Sequence, residues 1–313
     1  MRAYFAVALL CSSLRAAVVE RIPLAAVAAR LQAAPPSAVL LDYDGTLVDR
    51  GPDGASLPVR PEIVGALTAL LRAGLPVGIV TGRIFDASAA SDEGLMGTWR
   101  PLLSKIPADL RRNLFFSGSF SGEFVAFDGQ GCVETFVRSD WSPEEIQILR
   151  SAVDAAAAKS GLTKADFRVR ETSGHLTAAF SRADPRAAVF AAALERELKA
   201  RDLDHPVRGR DWIYVAKSDK EPGARRVVEA MRERGFAIDE TKILTVGDDF
   251  REPGGSDAPL ARAFPLALSV SVGDADAAHT RGSVIRLVER GATATLELLR
   301  TVLRGLGLTA PGV

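Results

Sequence analysis

At 313 residues the chain is longer than one hydrophobic core usually serves, so a second domain or an insertion is expected. A hydrophobic content of 47% excludes a disordered chain, and 39 basic against 39 acidic side chains, with no long basic run, exclude a broad nucleic-acid or anionic-membrane surface. Cys11 and Cys132 lie too far apart to make a disulfide framework or a metal-ligand spacing, which suits a reducing, cytoplasmic compartment.

Residues 1–36 read as an N-terminal helical extension. Arg2 precedes an apolar run from Ala3 through Leu10 that is about the length of a signal-peptide core, so a targeting segment is the alternative. The single charge ahead of that run weighs against it. Leu24 to Leu31 has an amphipathic helical pattern stopped by Pro35-Pro36, and no run reaches the roughly 18 consecutive apolar residues of a membrane span.

The most informative stretch follows: Val39-Leu40-Leu41-Asp42-Tyr43-Asp44-Gly45-Thr46-Leu47. A short, wholly apolar run is the pattern of a strand buried on both faces of a parallel sheet, and this one stops at two carboxylates. Ligands of open α/β sheets bind beyond the carboxyl ends of the strands, where Asp42 and Asp44 would stand. Two acids so close repel unless a cation or a proton intervenes. Asp44-Gly45 is also ordinary turn chemistry, so the remaining strand ends decide.

This stretch resembles the first motif of the haloacid dehalogenase (HAD) superfamily, and its wording is similar to the trehalose-6-phosphate phosphatase branch. The resemblance implies that Asp42 attacks phosphorus and Asp44 serves as general acid and base. A carboxylate is a sensible nucleophile here, giving an aspartyl-phosphate that water hydrolyses. Asp44 argues against the dehalogenase branch.

Pro61 then opens a helix with Ile63, Leu67, Leu70 and Leu71 on one face and Gly74 as its stop. Pro76 to Val80 is a second buried strand, ending at Thr81-Gly82-Arg83, where a hydroxyl and backbone N–H groups make an anion cradle. It resembles the second HAD motif, which implies phosphate binding by Thr81, Gly82 and Arg83. Residues from Asp86 to Pro107 read as irregular or helical. Asn113 to Phe116 is a third strand, leading into Ser117-Gly118-Ser119-Phe120-Ser121-Gly122-Glu123. Trehalose-phosphate phosphatases have a Gly-Ser-His-Gly-like segment there, so this stretch is either a tight turn or a substrate-facing loop.

From Trp141 the pattern becomes helix, two strands, helix, two strands: a capping-box helix from Ser142 to Gly161, strands at Phe167–Arg170 and His175–Phe180, a helix from Asp184 to about Ala200, and strands at Val207-Arg208 and Trp212–Ala216. This predicts an inserted α+β cap, placed where the C2-capped HAD subclass carries one. The resulting fold class is α/β, a Rossmann-like parallel-sheet core with an inserted α+β cap domain. Its expected parts are 37–137 for the first half of the core, 138–207 for the cap and 208–313 for the second half. His175 lacks any triad signature, and Arg168 and Arg170 read as strand-face charges.

Beyond the cap, Lys217-Ser218-Asp219-Lys220 leads into a helix that stops at Gly235. The resemblance implies a phosphate-compensating lysine; Lys220 fits because Asp219 precedes it, and Lys217 competes. The strand Lys242–Val246 ends at Gly247-Asp248-Asp249, whose oxygen ligands, with Asp42 and Asp44, suit Mg²⁺. The resembling motif puts a further acid at Glu252, with Asp257 as the competitor. Strands at Leu268–Val272 and within His279–Val288, then a helix from Thr293 to about Arg304, complete the core. In the cap, Gly209 to Tyr214 matches the family's sugar-contacting segment, with Tyr214 where Glu is expected. The function implied is a Mg²⁺-dependent phosphatase of a small phosphorylated sugar, with trehalose 6-phosphate one candidate. The alternatives are a phosphosugar mutase with the same nucleophile and a non-catalytic HAD-like binding domain.

Overall fold

The computed structural model describes residues 21–51, 56–85, 99–171, 175–180, 184–208, 212–251, 254–273 and 284–309. The expectations for residues 1–20, 86–98, Gly209–Asp211, Glu252 and 279–283 lie outside them. The strands are β1 (Arg21–Ile22), β2 (Ala38–Leu41), β3 (Val77–Val80), β4 (Leu114–Gly118), β5 (Glu123–Phe127), β6 (Val133–Arg138), β7 (Phe167–Glu171), β8 (His175–Phe180), β9 (Val207–Arg208), β10 (Trp212–Ala216), β11 (Ile243–Gly247), β12 (Leu268–Ser271) and β13 (Val284–Leu287). The helices are α1 (Leu24–Ala33), α2 (Pro61–Arg72), α3 (Pro143–Lys159), α4 (Arg186–Lys199), α5 (Lys220–Glu233), α6 (Ala258–Ala263) and α7 (Gly291–Gly305).

Nine strands form one sheet in the order β1-β13-β12-β11-β2-β3-β4-β5-β6. It is parallel from β1 to β4, and β5 and β6 add an antiparallel hairpin at one edge. The apolar run of β2 is buried on both faces, as its composition requires. Val39 and Leu41 pack in the cluster that includes α1, α2 and α7, while Ala38 and Leu40 pack against α5 and α6. Each fully buried leucine contributes on the order of 1.5–3 kcal/mol, so the pattern holds β2 in register at the sheet's centre. The α1 segment belongs to this core: Val27 and Leu31 are buried in it. The helix expected to start at Thr293 begins two residues earlier, because its N-terminal donor is satisfied from far away: the Ala292 N–H donates to Asp49 Oδ1 at 2.9 Å.

The remaining strands make a separate antiparallel sheet, β7-β8-β10-β9, over which α3 and α4 bury a third cluster around Leu149, Phe190, Leu194 and Val215. The element order is the α+β alternation expected for the cap, though the sheet continues to Ala216, past the expected limit at residue 207. Ser142 begins α3 with the expected capping box. Glu145 of that box also pairs with Lys217 at 2.9 Å, joining the segments that enter and leave this unit. Among the described residues no helix is long and apolar enough to cross a membrane.

Candidate active site

The three central strands β11, β2 and β3 end side by side, and each delivers a polar residue at its carboxyl end. Asp42 follows β2, with its N–H donating to Val246 O at 2.9 Å so that the ladder carries on into the site. Asp248 follows β11 and Thr81 follows β3. The helix α5 begins at Lys220 with Asp219 as its cap, and Pro222 lies in the first turn, where a missing N–H costs nothing.

Lys220 is 1% exposed, and its Nζ donates to Asp42 Oδ1 and to Asp257 Oδ1, each at 2.6 Å. Asp257 is fully buried, and its Oδ2 accepts the Asp249 N–H at 2.8 Å. The place for it is made by Gly247, where an added Cβ would fall 2.5 Å from Asp257 Oδ2. Burial and the charge of Asp257 push the Asp42 carboxyl up to about 7 against the pull of Lys220. Burial, Asp257 and Asp42 likewise raise Asp248 well above the usual carboxylate range, with Arg50 opposing. The Lys220 ammonium resists its own burial because the charges of Asp257 and Asp42 hold its proton.

Asp44 lies differently. Its carboxylate is gripped by Arg83, Nε to Oδ2 at 2.8 Å and Nη2 to Oδ1 at 2.7 Å, and Ser56 Oγ also donates to it. Burial works to raise this carboxyl, but the hydrogen bonds and charge of Arg83 outweigh it and keep Asp44 below its ordinary value. The guanidinium also lies over the Tyr43 ring, 4.8 Å from its centroid. Thr81 is buried and its Oγ1 accepts the Arg83 N–H at 3.2 Å. Gly82 lies against the Phe120 ring.

The loop after β4 is a bracket. Ser119, Phe120 and Ser121 all lie in the left-handed region, with φ of 51°, 50° and 73°, a conformation that costs non-glycine residues about 1–3 kcal/mol each. It is held on both sides. The Ser119 N–H donates to Arg83 O at 2.7 Å and the Phe120 N–H to Thr81 O at 3.2 Å, while Ser121 Oγ donates to Asp219 O at 2.5 Å and accepts the Gly223 N–H at 2.7 Å. The segment thus ties the loop carrying Thr81 and Arg83 to the helix start carrying Lys220. The Phe120 ring meets Tyr214 of β10 at 5.2 Å, bringing the second sheet to the rim. Burial pushes the Tyr214 phenol up to about 12, Arg50 opposing, with Asp44, Lys220 and Asp248 also within electrostatic reach.

The fit to a divalent cation follows from the donors. Asp42, Asp248 and Asp257 each place a carboxylate oxygen within 4.8 Å of the others, and Asp248 Oδ1 is buried without a hydrogen-bond partner. Such an oxygen is costly unless something positive meets it. Hard oxygens in this number suit Mg²⁺. Gly45 allows the approach: it has φ of +84°, and a Cβ there would stand 2.4 Å from Asp248 Oδ2.

The structure therefore brings together Asp42, Asp44, Thr81, Gly82, Arg83, Lys220 and Asp248. Lys217 sits instead at the base of the second unit, paired with Glu145. Asp249 turns away to Arg251, whose Nη2 donates to Oδ2 at 2.7 Å. Of the two competing loop acids, Asp257 is in the cluster and Glu252 is outside the described residues. Arg50, Ser56 and Asp49 were not singled out from the sequence; each acts across the turn after Asp44, through contacts that no local pattern encodes.

No family model matches the chain. A stretch of 114 residues is 33% identical to IMP-specific 5'-nucleotidase 1 of Eremothecium gossypii, covering 35% of this chain and 26% of that protein, so the match spans about a quarter of the relative's length. Among solved structures, the C-terminal domain of Candida albicans trehalose-6-phosphate phosphatase superimposes with a TM-score of 0.63 at 17% identity, over 93% of this chain and 99% of that one. A C-terminally truncated Plasmodium falciparum IMP-nucleotidase gives 0.59 at 13% identity, over 88% and 73%. The fold is that of the HAD-type phosphatases. The ends of β11, β2 and β3, carrying Asp248, Asp42 and Thr81, lie on adjacent strands, and Tyr214 of the second sheet meets this region through the Phe120 ring.

Proposed function

We propose that this chain is a Mg²⁺-dependent phosphomonoesterase that works through a phosphoryl group carried on Asp42. The observation that carries the reading is the buried Asp42–Lys220–Asp257 chain beside the unpartnered oxygen of Asp248, at the ends of adjacent parallel strands. Asp42, Asp248 and the Asp44 carbonyl would hold the cation, with Asp257 steadying Lys220 rather than facing the substrate. Bound there, Mg²⁺ offsets the repulsion between an anionic nucleophile and an anionic phosphate.

The remaining steps belong to side chains. Lys220 keeps Asp42 oriented and favours its ionised form. Asp42 attacks phosphorus, the bond to the ester oxygen breaks, and Asp44 delivers a proton to that oxygen; Asp44 then takes a proton from the water that cleaves the acyl phosphate. In the resting site Asp44 is held ionised by Arg83. For Asp44 to carry a proton, Arg83 must exchange it for the phosphate oxygens, which its planar fork fits equally well. Thr81 and the Gly82 backbone complete the phosphate cradle.

The names of the similar proteins support a substrate class. IMP and trehalose 6-phosphate both carry phosphate on the exocyclic primary carbon of a sugar, which favours a sugar or nucleoside phosphate of that kind as the substrate. Phosphate release across IMP, trehalose 6-phosphate, glucose 6-phosphate and glucose 1-phosphate tests this. Steady Mg²⁺-dependent release from one or more primary esters, well above that from glucose 1-phosphate, is expected. Phosphoryl exchange between sugars without release would establish a mutase instead, and no turnover of any ester would refute the reading.

A further inference from the structure

Among the described cations around the acidic cluster, Lys220 is buried on two carboxylates and Arg83 is bidentate on Asp44. Arg50 differs. Its Nη2 donates to the Asp44 carbonyl at 3.3 Å and stands 3.8 Å from Asp248 Oδ2, beyond hydrogen-bond distance, with the side chain 44% exposed. Its backbone is nonetheless well placed. Leu47 and Val48 are buried just before it, Asp49 is tied to Ala292 at the start of α7, and residue 50 bridges antiparallel to Ser56, whose hydroxyl bonds Asp44.

The charge balance indicates what this loosely held guanidinium does. Three carboxyls, Asp42, Asp248 and Asp257, face one buried ammonium, and the Arg50 guanidinium is the further positive group beside Asp248. A divalent cation held by Asp42 and Asp248 would displace their protons and replace Arg50 as the counter-charge of Asp248. Arg50 is then a positive charge free of Asp248, beside the Asp44 carbonyl and 44% exposed where Asp42 is 4% exposed. Among the described residues its polar contacts are 3.3 Å and 3.8 Å long, so little is lost on leaving them, and its fork matches phosphate oxygens.

We propose that Arg50 is a second phosphate-binding arginine, parked against Asp248 in the metal-free site and released to the substrate's phosphate when the cation binds. The proposal rests on the phosphomonoesterase reading. It makes Mg²⁺ and Arg50 competitors for Asp248 before substrate arrives and partners afterwards, and a loss of phosphate affinity on removing the fork while keeping the charge separates a phosphate ligand from a nearby positive charge.

Calorimetric titration of the full chain tests it, first with Mg²⁺ alone and then with inorganic phosphate in saturating Mg²⁺. Arg50→Gln is expected to bind Mg²⁺ several-fold more tightly and phosphate roughly tenfold more weakly than the wild type. Arg50→Lys, which keeps the charge and loses the fork, is expected to show a smaller loss of phosphate affinity. Unchanged phosphate affinity in Arg50→Gln overturns the proposal even if Mg²⁺ binding alters, because Arg50 is then only a counter-charge. If circular dichroism shows that the glutamine variant does not fold, Arg50→Lys decides, and no loss of phosphate affinity there overturns the proposal equally. A wild type that binds Mg²⁺ but no phosphate fails the phosphomonoesterase reading itself and removes the role of Arg50 with it.

Discussion

Replacing Lys220 by methionine tests how the buried acids are held. The ammonium is 1% exposed and bonds two carboxylates at 2.6 Å, so an apolar side chain of similar length leaves Asp42 and Asp257 buried with their charge uncompensated. Breaking a buried pair by removing one partner typically costs about 3–5 kcal/mol, far above the change expected of a surface lysine. The cost depends on pH in a definite direction. Asp42 already has a folded-state value of about 7 against 3.8 for the free group, so the folded protein binds the extra proton and stability falls as pH rises from about 4 through about 7. Without Lys220 the carboxyl rises further, so the variant's deficit grows towards alkaline pH. Urea unfolding of metal-free wild type and Lys220→Met at pH 5 and pH 8, followed by far-UV circular dichroism, measures both effects. The expected result is a deficit of about 3–5 kcal/mol at pH 8 that shrinks at pH 5, where Asp42 is protonated, and partial recovery on adding Mg²⁺. A deficit below about 1 kcal/mol at pH 8, or one that is larger at pH 5, would mean that Lys220 does not hold the two buried carboxylates.

Gly45→Ala puts a methyl 2.4 Å from Asp248 Oδ2 at a φ of +84°. A stability loss of about 1–3 kcal/mol is expected, with a several-fold higher Mg²⁺ concentration for half-maximal activity; an unchanged Mg²⁺ titration contradicts the placement of Asp248. Asp257→Asn is expected to lower turnover at least tenfold more than Asp249→Asn, since Asp257 holds Lys220 while Asp249 pairs with Arg251, and steady-state assays that rank them the other way would move the cluster by a loop. Asp49→Ala removes the acceptor for the Ala292 N–H and should cost about 1 kcal/mol of unfolding free energy, approximately the size of a lost helix cap; urea unfolding with no loss contradicts the bond.

The parts of this site legible in the sequence are those where local pattern and buried environment coincide. The runs before Asp42, Thr81 and Asp248 are apolar because their strands are covered on both faces, and the residue where each run stops stands at the crevice. Lys220 was harder to place because Glu221 and Pro222 interrupt the resembling motif, yet they form the first turn of α5, where proline fits. What stayed hidden depends on chain folding back over distance. Asp257 reaches Lys220 only because the loop after Asp249 turns under Gly247, and Asp49 caps a helix more than two hundred residues away. Arg83 matches the phosphate motif, but in the resting protein it bonds Asp44, since a guanidinium fork fits either anion. The β5–β6 hairpin went unread because β6 is a part-exposed edge strand without a clean apolar alternation.

If Asp42 carries the phosphoryl group, acid quenching of the wild-type enzyme during turnover of a primary sugar phosphate traps it there, where peptide mass analysis reads it. One added phosphoryl group is expected on the peptide containing Asp42, dependent on Mg²⁺ and absent from Asp42→Asn, which still folds but releases no phosphate. Steady phosphate release by Asp42→Asn, or a phosphoryl group found on a different residue, would contradict it.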